Sequence, residues 1–160
     1  MSAGSVIIVT GASAGIGAAI VDKLLQQDAK VVLVDIAEEP LKNRQAKHGA
    51  GSVQYVVGDV SKDETNFQAI KVAMDTWGKL DALALNAGIM APVKRVCDVA
   101  SSEWTRIFNI NVVSQISMVR PCFYRTNANA NAPRLTKWFT AYSDNPSPQK
   151  LKGQSHLHLF

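Results

Sequence analysis

The chain has 160 residues, a net charge of +4 and 47% hydrophobic residues. This hydrophobic content excludes a disordered chain, and no apolar run approaches the roughly 18 residues that a membrane-spanning helix needs. The charge does not indicate nucleic-acid binding, because residues 121–160 carry five basic and one acidic side chain and so hold the whole excess, whereas the first 120 residues are neutral.

Strands and helices alternate along the first 120 residues. Short apolar, β-branched runs predict four strands: residues 5–10, 30–34, 53–57 and 80–85. Apolar residues at helical spacing predict four helices: residues 16–25, 38–48, 61–77 and a last one that begins at 101 or 102. Ser61 and Glu64 predict a capping box at the start of the third helix. Apolar strands alternating with helices predict an α/β fold, a doubly wound parallel sheet of the Rossmann type, truncated after about four strands.

The composition of the chain changes near residue 120. Residues 1–120 contain 27 valines and isoleucines and residues 121–160 contain none, while four prolines and an Asn-Ala alternation appear in the latter. One interpretation is a flexible C-terminal extension. The other, which we favour, is a tail produced by a frameshift, a retained intron or a wrong gene model. We therefore expect a folded portion at 4–120 and an irregular, atypical tail at 121–160.

The strongest local signal is a glycine-rich turn between the first strand and the first helix, Thr10-Gly11-Ala12-Ser13-Ala14-Gly15-Ile16-Gly17. Its glycines let the backbone approach a pyrophosphate, and the helix N-terminus presents free N–H groups to it. Asp35 ends the second strand, where a carboxylate accepts hydrogen bonds from ribose hydroxyls and repels a 2′-phosphate. The pattern predicts a dinucleotide site with NAD rather than NADP. The alternative is that Asp35 is a helix-capping or surface acid.

The pattern Thr-Gly-x-x-x-Gly-Ile-Gly resembles the short-chain dehydrogenase/reductase family over residues 4–120. Asp59-Val60 after the third strand, Asn86-Ala87-Gly88 after the fourth and Asn111-Val112 in the next helix agree with it in order and spacing. The resemblance implies that the first pair contacts the adenine, that the triplet stabilises the sheet and follows the cofactor ribose, and that Asn111 holds a water in the proton relay. The implied cofactor-binding residues are Gly11, Ser13, Gly15, Ile16, Gly17, Asp35, Asp59, Val60, Asn86, Ala87 and Gly88.

A narrower resemblance concerns the segment from Gly78-Lys79-Leu80-Asp81 through the Asn-Ala-Gly triplet to Pro92-Val93. It is similar to the fungal sepiapterin-reductase and benzil-reductase branch, whose members reduce dicarbonyl compounds. Many of those members use NADP, helped by a basic residue in the glycine-rich turn or after the second strand. This chain has Ala14 and Asp35-Ile36 there, which favours NAD. The family also forms dimers and tetramers, which leaves a homo-oligomer open.

The resemblance further implies a catalytic Tyr-x-x-x-Lys and a serine about a dozen residues before it, and neither is found. The residues four positions after Tyr55, Tyr124 and Tyr142 are Asp59, Ala128 and Pro146. Three hypotheses remain. The chain is a truncated or mis-spliced copy of an NAD(P)-dependent oxidoreductase acting on a small carbonyl or alcohol substrate, a non-catalytic NAD-binding or interaction module, or an inactive gene product. We expect a chain of this sequence to lack catalytic activity. Of the catalytic residues that the resemblance implies, Asn111 is the one found.

The two cysteines and the N-terminus bear on location. Cys97 and Cys122 have no metal-ligand spacing and form no disulfide framework, and Met1 to Gly4 lack the pattern of a signal peptide. We therefore expect a cytoplasmic protein with no metal site and no membrane or nucleic-acid partner.

Overall fold

The structure, a computed structural model, describes residues 3–123 of the chain. The strands of this part are β1 (Val6–Thr10), β2 (Lys30–Asp35), β3 (Val53–Val57) and β4 (Ala82–Leu85). The helices are α1 (Gly15–Leu25), α2 (Glu38–His48), α3 (Asp63–Trp77), α4 (Ser101–Phe108) and α5 (Ser114–Phe123). A 3₁₀ turn (Val96–Asp98) precedes α4, and a π turn (Asn109–Val113) joins α4 to α5.

The strands form one parallel sheet in the order β3-β2-β1-β4. The chain moves outward from β1 to β3 and then crosses back to place β4 on the other side of β1. Thr10, at the end of β1, lies in register with Val34 on one side and Leu85 on the other. A reversal of strand order opens a crevice at the carboxyl ends of the strands, and this is where ligands bind in such sheets. The predicted α/β, doubly wound parallel sheet is confirmed.

Two apolar cores lie on opposite faces of the sheet, because successive strand residues point to opposite sides. On one face, Ile8 and Val32 pack with Ile70 of α3 and Met118 of α5. The residues that form the other face are Ile7, Val9, Val31 and Leu33 of the strands with Val21 and Leu24 of α1 and Leu41 of α2. All the residues of β1 are buried, which explains why the strand reads as an unbroken apolar run.

The bounds of α2 and β3 agree with the sequence prediction, but those of β4 and the start of α3 do not. The strand β4 begins at Ala82 rather than at residue 80. The capping box of Ser61 and Glu64 is wrong: α3 begins at Asp63, Lys62 is its N-cap, and no side chain caps it. The reason is local, because the Ser61 N–H donates to Asp59 Oδ1 at 2.8 Å and keeps Ser61 in a turn.

The last described helix, α5, ends at Phe123, three residues beyond residue 120. Pro121 lies in its final residues and is buried. The rest of the predicted tail, 124–160, lies outside the described residues. Between residues 3 and 123, no helix has the length and apolar character that crossing a bilayer requires.

Candidate functional site

The glycine-rich turn packs so closely on itself and on Asn86 that two of its positions have no room for a side chain. A Cβ at Gly17 would lie 1.9 Å from the carbonyl oxygen of Gly11. A Cβ at Gly11 would lie 2.9 Å from Asn86 Nδ2, and its φ of +64° favours glycine as well. The turn therefore depends on these two glycines for its shape, and the backbone stays bare at the start of α1.

Thr10 and Asn86 link the turn to the end of β4. The Thr10 hydroxyl oxygen accepts hydrogen bonds from the backbone N–H groups of Asn86 and Ala87, both at 3.0 Å. Asn86 Nδ2 donates to the carbonyl oxygens of Thr10 at 3.2 Å and Gly11 at 3.3 Å. Because these bonds join β1 to β4 across the crevice, they hold the two walls in fixed relation.

The Asp35 carboxylate lies at the end of β2, beside the glycine-rich turn. Its Oδ2 accepts from the Ser13 N–H at 3.0 Å, and its Oδ1 accepts from the Ala37 N–H at 3.1 Å. Each carboxylate oxygen has more than one acceptor site, so both oxygens keep capacity for ligand hydroxyls. The arrangement places an ionisable acceptor group in the crevice and orients it through the backbone.

Asp59 follows β3 and sits near two cations. The hydrogen bond from the Ser61 backbone N–H is the main reason that the pKa of Asp59 lies below its ordinary value. Partial burial opposes this shift in pKa, while the charges of Lys62 and Arg106 add to it. Asp59 is therefore held as an anion at this end of the crevice.

Asn111 lies in the π turn and bonds to the segment that follows the Asn-Ala-Gly triplet. Its Oδ1 accepts from the Ile89 N–H and its Nδ2 donates to the Ile89 carbonyl, both at 2.8 Å. A Cβ at Gly88 would lie 3.3 Å from Asn111 Oδ1. Single π turns inside helices are often found at functional sites. Here the π turn presents the Asn111 amide to the backbone after β4.

One cleft gathers much of the predicted set. Six of the predicted residues line it: Gly11, Asp35, Asp59, Val60, Ala87 and Gly88. Ser13, Asn86, Gly17 and Asn111 support these lining residues through the contacts described above. Gly15 and Ile16 lie at the first turn of α1, and the Ile16 side chain is 74% exposed.

Sequence reasoning missed six residues that also line the cleft: Val34, Ile36, Gly58, Ile89, Arg106 and Ile110. Four of them directly adjoin residues that were predicted, at or just beyond the ends of β2, β3 and β4. The rule that ligands bind at the carboxyl ends of parallel strands could have found these. Arg106 and Ile110 carry no such signal, because an arginine on a short amphipathic helix usually faces solvent.

The metal-binding potential of the described residues is limited. Within residues 3–123, no three histidine, cysteine or acidic side chains are grouped so that they could hold a metal ion. The chemical groups offered by the cleft are instead carboxylates, backbone N–H groups, an arginine and apolar side chains. Apolar walls with a few polar and charged groups are typical of a pocket for a small organic ligand.

Known proteins of similar sequence include short chain dehydrogenases and other oxidoreductases. The family profile of short chain dehydrogenases matches residues 5–130. An uncharacterized oxidoreductase of Saccharomyces cerevisiae is 38% identical over 131 residues, which is 79% of this chain and 51% of that protein. Benzil reductase ((S)-benzoin forming) of the same yeast is 33% identical over 126 residues, 74% of this chain and 48% of that protein. The chain thus spans about half the length of the curated relatives it matches.

Solved structures agree with this relationship. The 3-ketoacyl-(acyl-carrier-protein) reductase from Brucella melitensis, complexed with NADH, superposes with a TM-score of 0.72 at 30% identity, covering 76% of this chain and 50% of that one. A profile match over most of the chain, with relatives that share both sequence and fold, leaves one assignment. This chain belongs to the short-chain dehydrogenase family.

Proposed function

We propose that this chain binds NAD in the cleft at the carboxyl ends of β1, β2, β3 and β4, as the dinucleotide-binding part of a carbonyl or alcohol oxidoreductase. The observation that carries this proposal is the Asp35 carboxylate, which lines the cleft and is oriented by the Ser13 N–H. A carboxylate in this place accepts hydrogen bonds from ribose hydroxyls and repels a 2′-phosphate, which supports NAD over NADP.

The fit of a dinucleotide rests on the local geometry. Gly17 and Gly11 leave the backbone bare beside the N-terminus of α1, where N–H groups and the helix dipole favour a pyrophosphate. Val60 and Ile110 supply apolar walls near Asp59 for a flat base. We propose that Gly11, Ser13, Gly15, Ile16 and Gly17 bind the pyrophosphate side, and that Asn86, Ala87 and Gly88 pass along the second ribose.

When bound, the reduced dinucleotide would donate a hydride to the substrate carbon, and the oxidised dinucleotide would accept one from it. The residues of this chain orient that cofactor: Asp35 holds one end, and Asn111 fixes the backbone beside Gly88 at the other. A proton at the substrate oxygen needs a separate acid or base. We propose a small carbonyl or alcohol substrate. A dicarbonyl such as benzil is the first probe, because a yeast relative is a benzil reductase. We also propose a cytoplasmic location.

Direct titration tests the proposal. NADH fluorescence and calorimetry with the 160-residue chain should show saturable binding, with NADPH bound more weakly. Asp35→Asn keeps the size of the side chain but removes its charge. It should therefore weaken the binding of NADH by about tenfold and reduce the difference in affinity between NADH and NADPH. Asp75→Asn is the matched control, because Asp75 is an exposed carboxylate on α3. Absence of NADH binding, or tighter NADPH binding, would overturn the proposal.

A second candidate function is NAD binding without turnover. The observation that favours it is that none of the three tyrosines has a lysine four residues later. Mixing the chain with NADH and benzil and following absorbance at 340 nm separates the two. Saturable binding with no NADH oxidation above the protein-free rate supports the binding module. Oxidation that depends on the amount of protein supports the enzyme.

A further inference from the structure

We propose that Arg106 binds the adenine ring of the dinucleotide at the rim of the cleft and thereby strengthens the adenosine end of the site. This inference rests on the proposed function, since it names a residue of the same cleft. Arg106 belongs to α4, whereas the residues predicted for the adenine, Asp59 and Val60, follow β3. The contact would therefore join two parts of the chain that are about 45 residues apart in sequence.

The position of Arg106 supports a contact with the base. Arg106 lines the same cleft as Asp59, Val60 and Ile110. Ile110 follows it by four residues along the continuous helical segment, so the two side chains lie on one helix face. The cleft thus has apolar walls at Val60 and Ile110, with an anion and a cation beside them.

The guanidinium of Arg106 is available for a ligand. Among residues 3–123 the Arg106 guanidinium has no hydrogen-bond or ion-pair partner. The Arg106 side chain is also exposed. Arg44 and Arg95 differ, because their guanidinium groups are engaged by Asp22 at 2.7 Å and by Asp98 at 2.9 Å. The charge of Arg106 contributes to the lowered pKa of Asp59. Arg106 therefore lies near that carboxylate without forming an ion pair with it.

The chemistry of arginine selects the adenine over the other parts of the ligand. A planar guanidinium stacks on aromatic faces, which a lysine ammonium does less well. Under the proposed function, the N–H groups at the start of α1 bind the pyrophosphate, and the Asp35 carboxylate accepts hydrogen bonds from the ribose hydroxyls. A 2′-phosphate near Arg106 would also meet the Asp35 carboxylate, which lines the same cleft and repels it.

Binding of fragments tests this inference without turnover. We would measure dissociation constants of AMP, reduced nicotinamide mononucleotide, NADH and NADPH for the parent chain and for Arg106→Ala, Arg106→Lys and Arg120→Ala. Arg120 is the matched control, an exposed arginine on α5 that does not line the cleft. Arg106→Ala should raise the dissociation constants of AMP, NADH and NADPH alike by about fivefold. The dissociation constant of reduced nicotinamide mononucleotide should stay unchanged. Arg106→Lys should lie between parent and alanine.

Each other outcome has a distinct meaning. Unchanged AMP and NADH binding in Arg106→Ala, with the parent chain binding NADH, overturns the role of Arg106 but keeps the proposed function. A loss confined to NADPH assigns Arg106 to a 2′-phosphate and overturns the adenine contact. An equal loss in Arg120→Ala shows a general charge effect and overturns it too. A parent chain that binds none of the four ligands overturns the proposed function and this inference with it.

Discussion

The Asn111 side chain and the Ile89 backbone form a closed pair of hydrogen bonds, both 2.8 Å long. The Asn111 amide nitrogen donates to the Ile89 carbonyl, and the Asn111 amide oxygen accepts from the Ile89 N–H. A side-chain amide offers the neighbouring donor and acceptor that this pair of bonds requires. The pair fixes the backbone just beyond Gly88, so it links the π turn to the wall of the cleft.

Asn111→Ala should lower the free energy of unfolding by about 2 kcal/mol, because it leaves the N–H and the carbonyl of half-buried Ile89 without their partner. The substitution should also weaken the binding of NADH, because the segment after Gly88 would no longer be held in place. Urea unfolding and NADH titration measure the two effects. Asn109→Ala is the control, because Asn109 is an exposed residue in the same π turn and its loss should cost no more than about 0.5 kcal/mol. Equal effects of the two variants would contradict the role assigned to Asn111.

Gly17→Ala should destabilise the glycine-rich turn. The added Cβ would lie 1.9 Å from the Gly11 carbonyl oxygen, so backbone must move. We expect a loss of about 3 kcal/mol in unfolding free energy and a loss of NADH affinity of about tenfold or more. Gly51→Ala is the control, since a Cβ there meets nothing within 4 Å. Thermal unfolding and NADH titration of both variants measure the difference, and a Gly17→Ala chain that melts and binds like the parent would refute it.

The sequence predicted those elements best whose ends are marked by local chemistry. The helix α2 carries Pro40 in its first turn and ends at Gly49, and its bounds agree with the prediction. The start of α3 was wrong because the Asp59 carboxylate takes the Ser61 N–H, and a capping pattern does not reveal that competition. Local patterns therefore locate elements well but do not decide between rival hydrogen-bond partners.

The same limit applies to the candidate site. Asp35 and the Asn86–Gly88 triplet could be predicted because they follow strands of a parallel sheet, where ligands bind. Arg106 could not, since nothing in an exposed helical arginine distinguishes it from a solvated side chain. Its place in the cleft depends on how α4 packs beside β3 and β4, which is a tertiary relationship. The roles of all the predicted cofactor-binding residues and of Asn111 stay predictions, because lining a cleft does not show what binds there.

Asp59 should make the stability of the protein depend on acid pH. Its pKa in the folded state lies below 3.8, the value for the unfolded chain, mainly because of the Ser61 N–H. A depressed carboxyl pKa stabilises the folded state at pH above 3.8, and this contribution is lost as the pH falls through the lower, folded-state value. Unfolding free energies between about pH 5 and pH 2.5 should show that the advantage of the parent over Asp59→Asn shrinks as the pH falls.

Ser61→Ala is the matched variant for this measurement. It keeps the backbone N–H that dominates the shift in pKa and removes only the hydroxyl, whose effect is smaller. It should therefore retain most of the pH dependence of the parent. A difference between the parent and Asp59→Asn that stays constant over the whole range would show that Asp59 titrates alike in both states.

The two cysteines should differ in their reaction with alkylating reagents. Cys97 is exposed, while Cys122 is partly buried, and burial raises the pKa of its thiol. The thiolate is the reactive form, so iodoacetamide near pH 8 should modify Cys97 at least about tenfold faster than Cys122. Peptide mass spectrometry over a time course measures both rates. In 8 M urea the ratio should approach one, because burial is lost. Similar rates in buffer would show that Cys122 is accessible and would place the end of α5 in solvent.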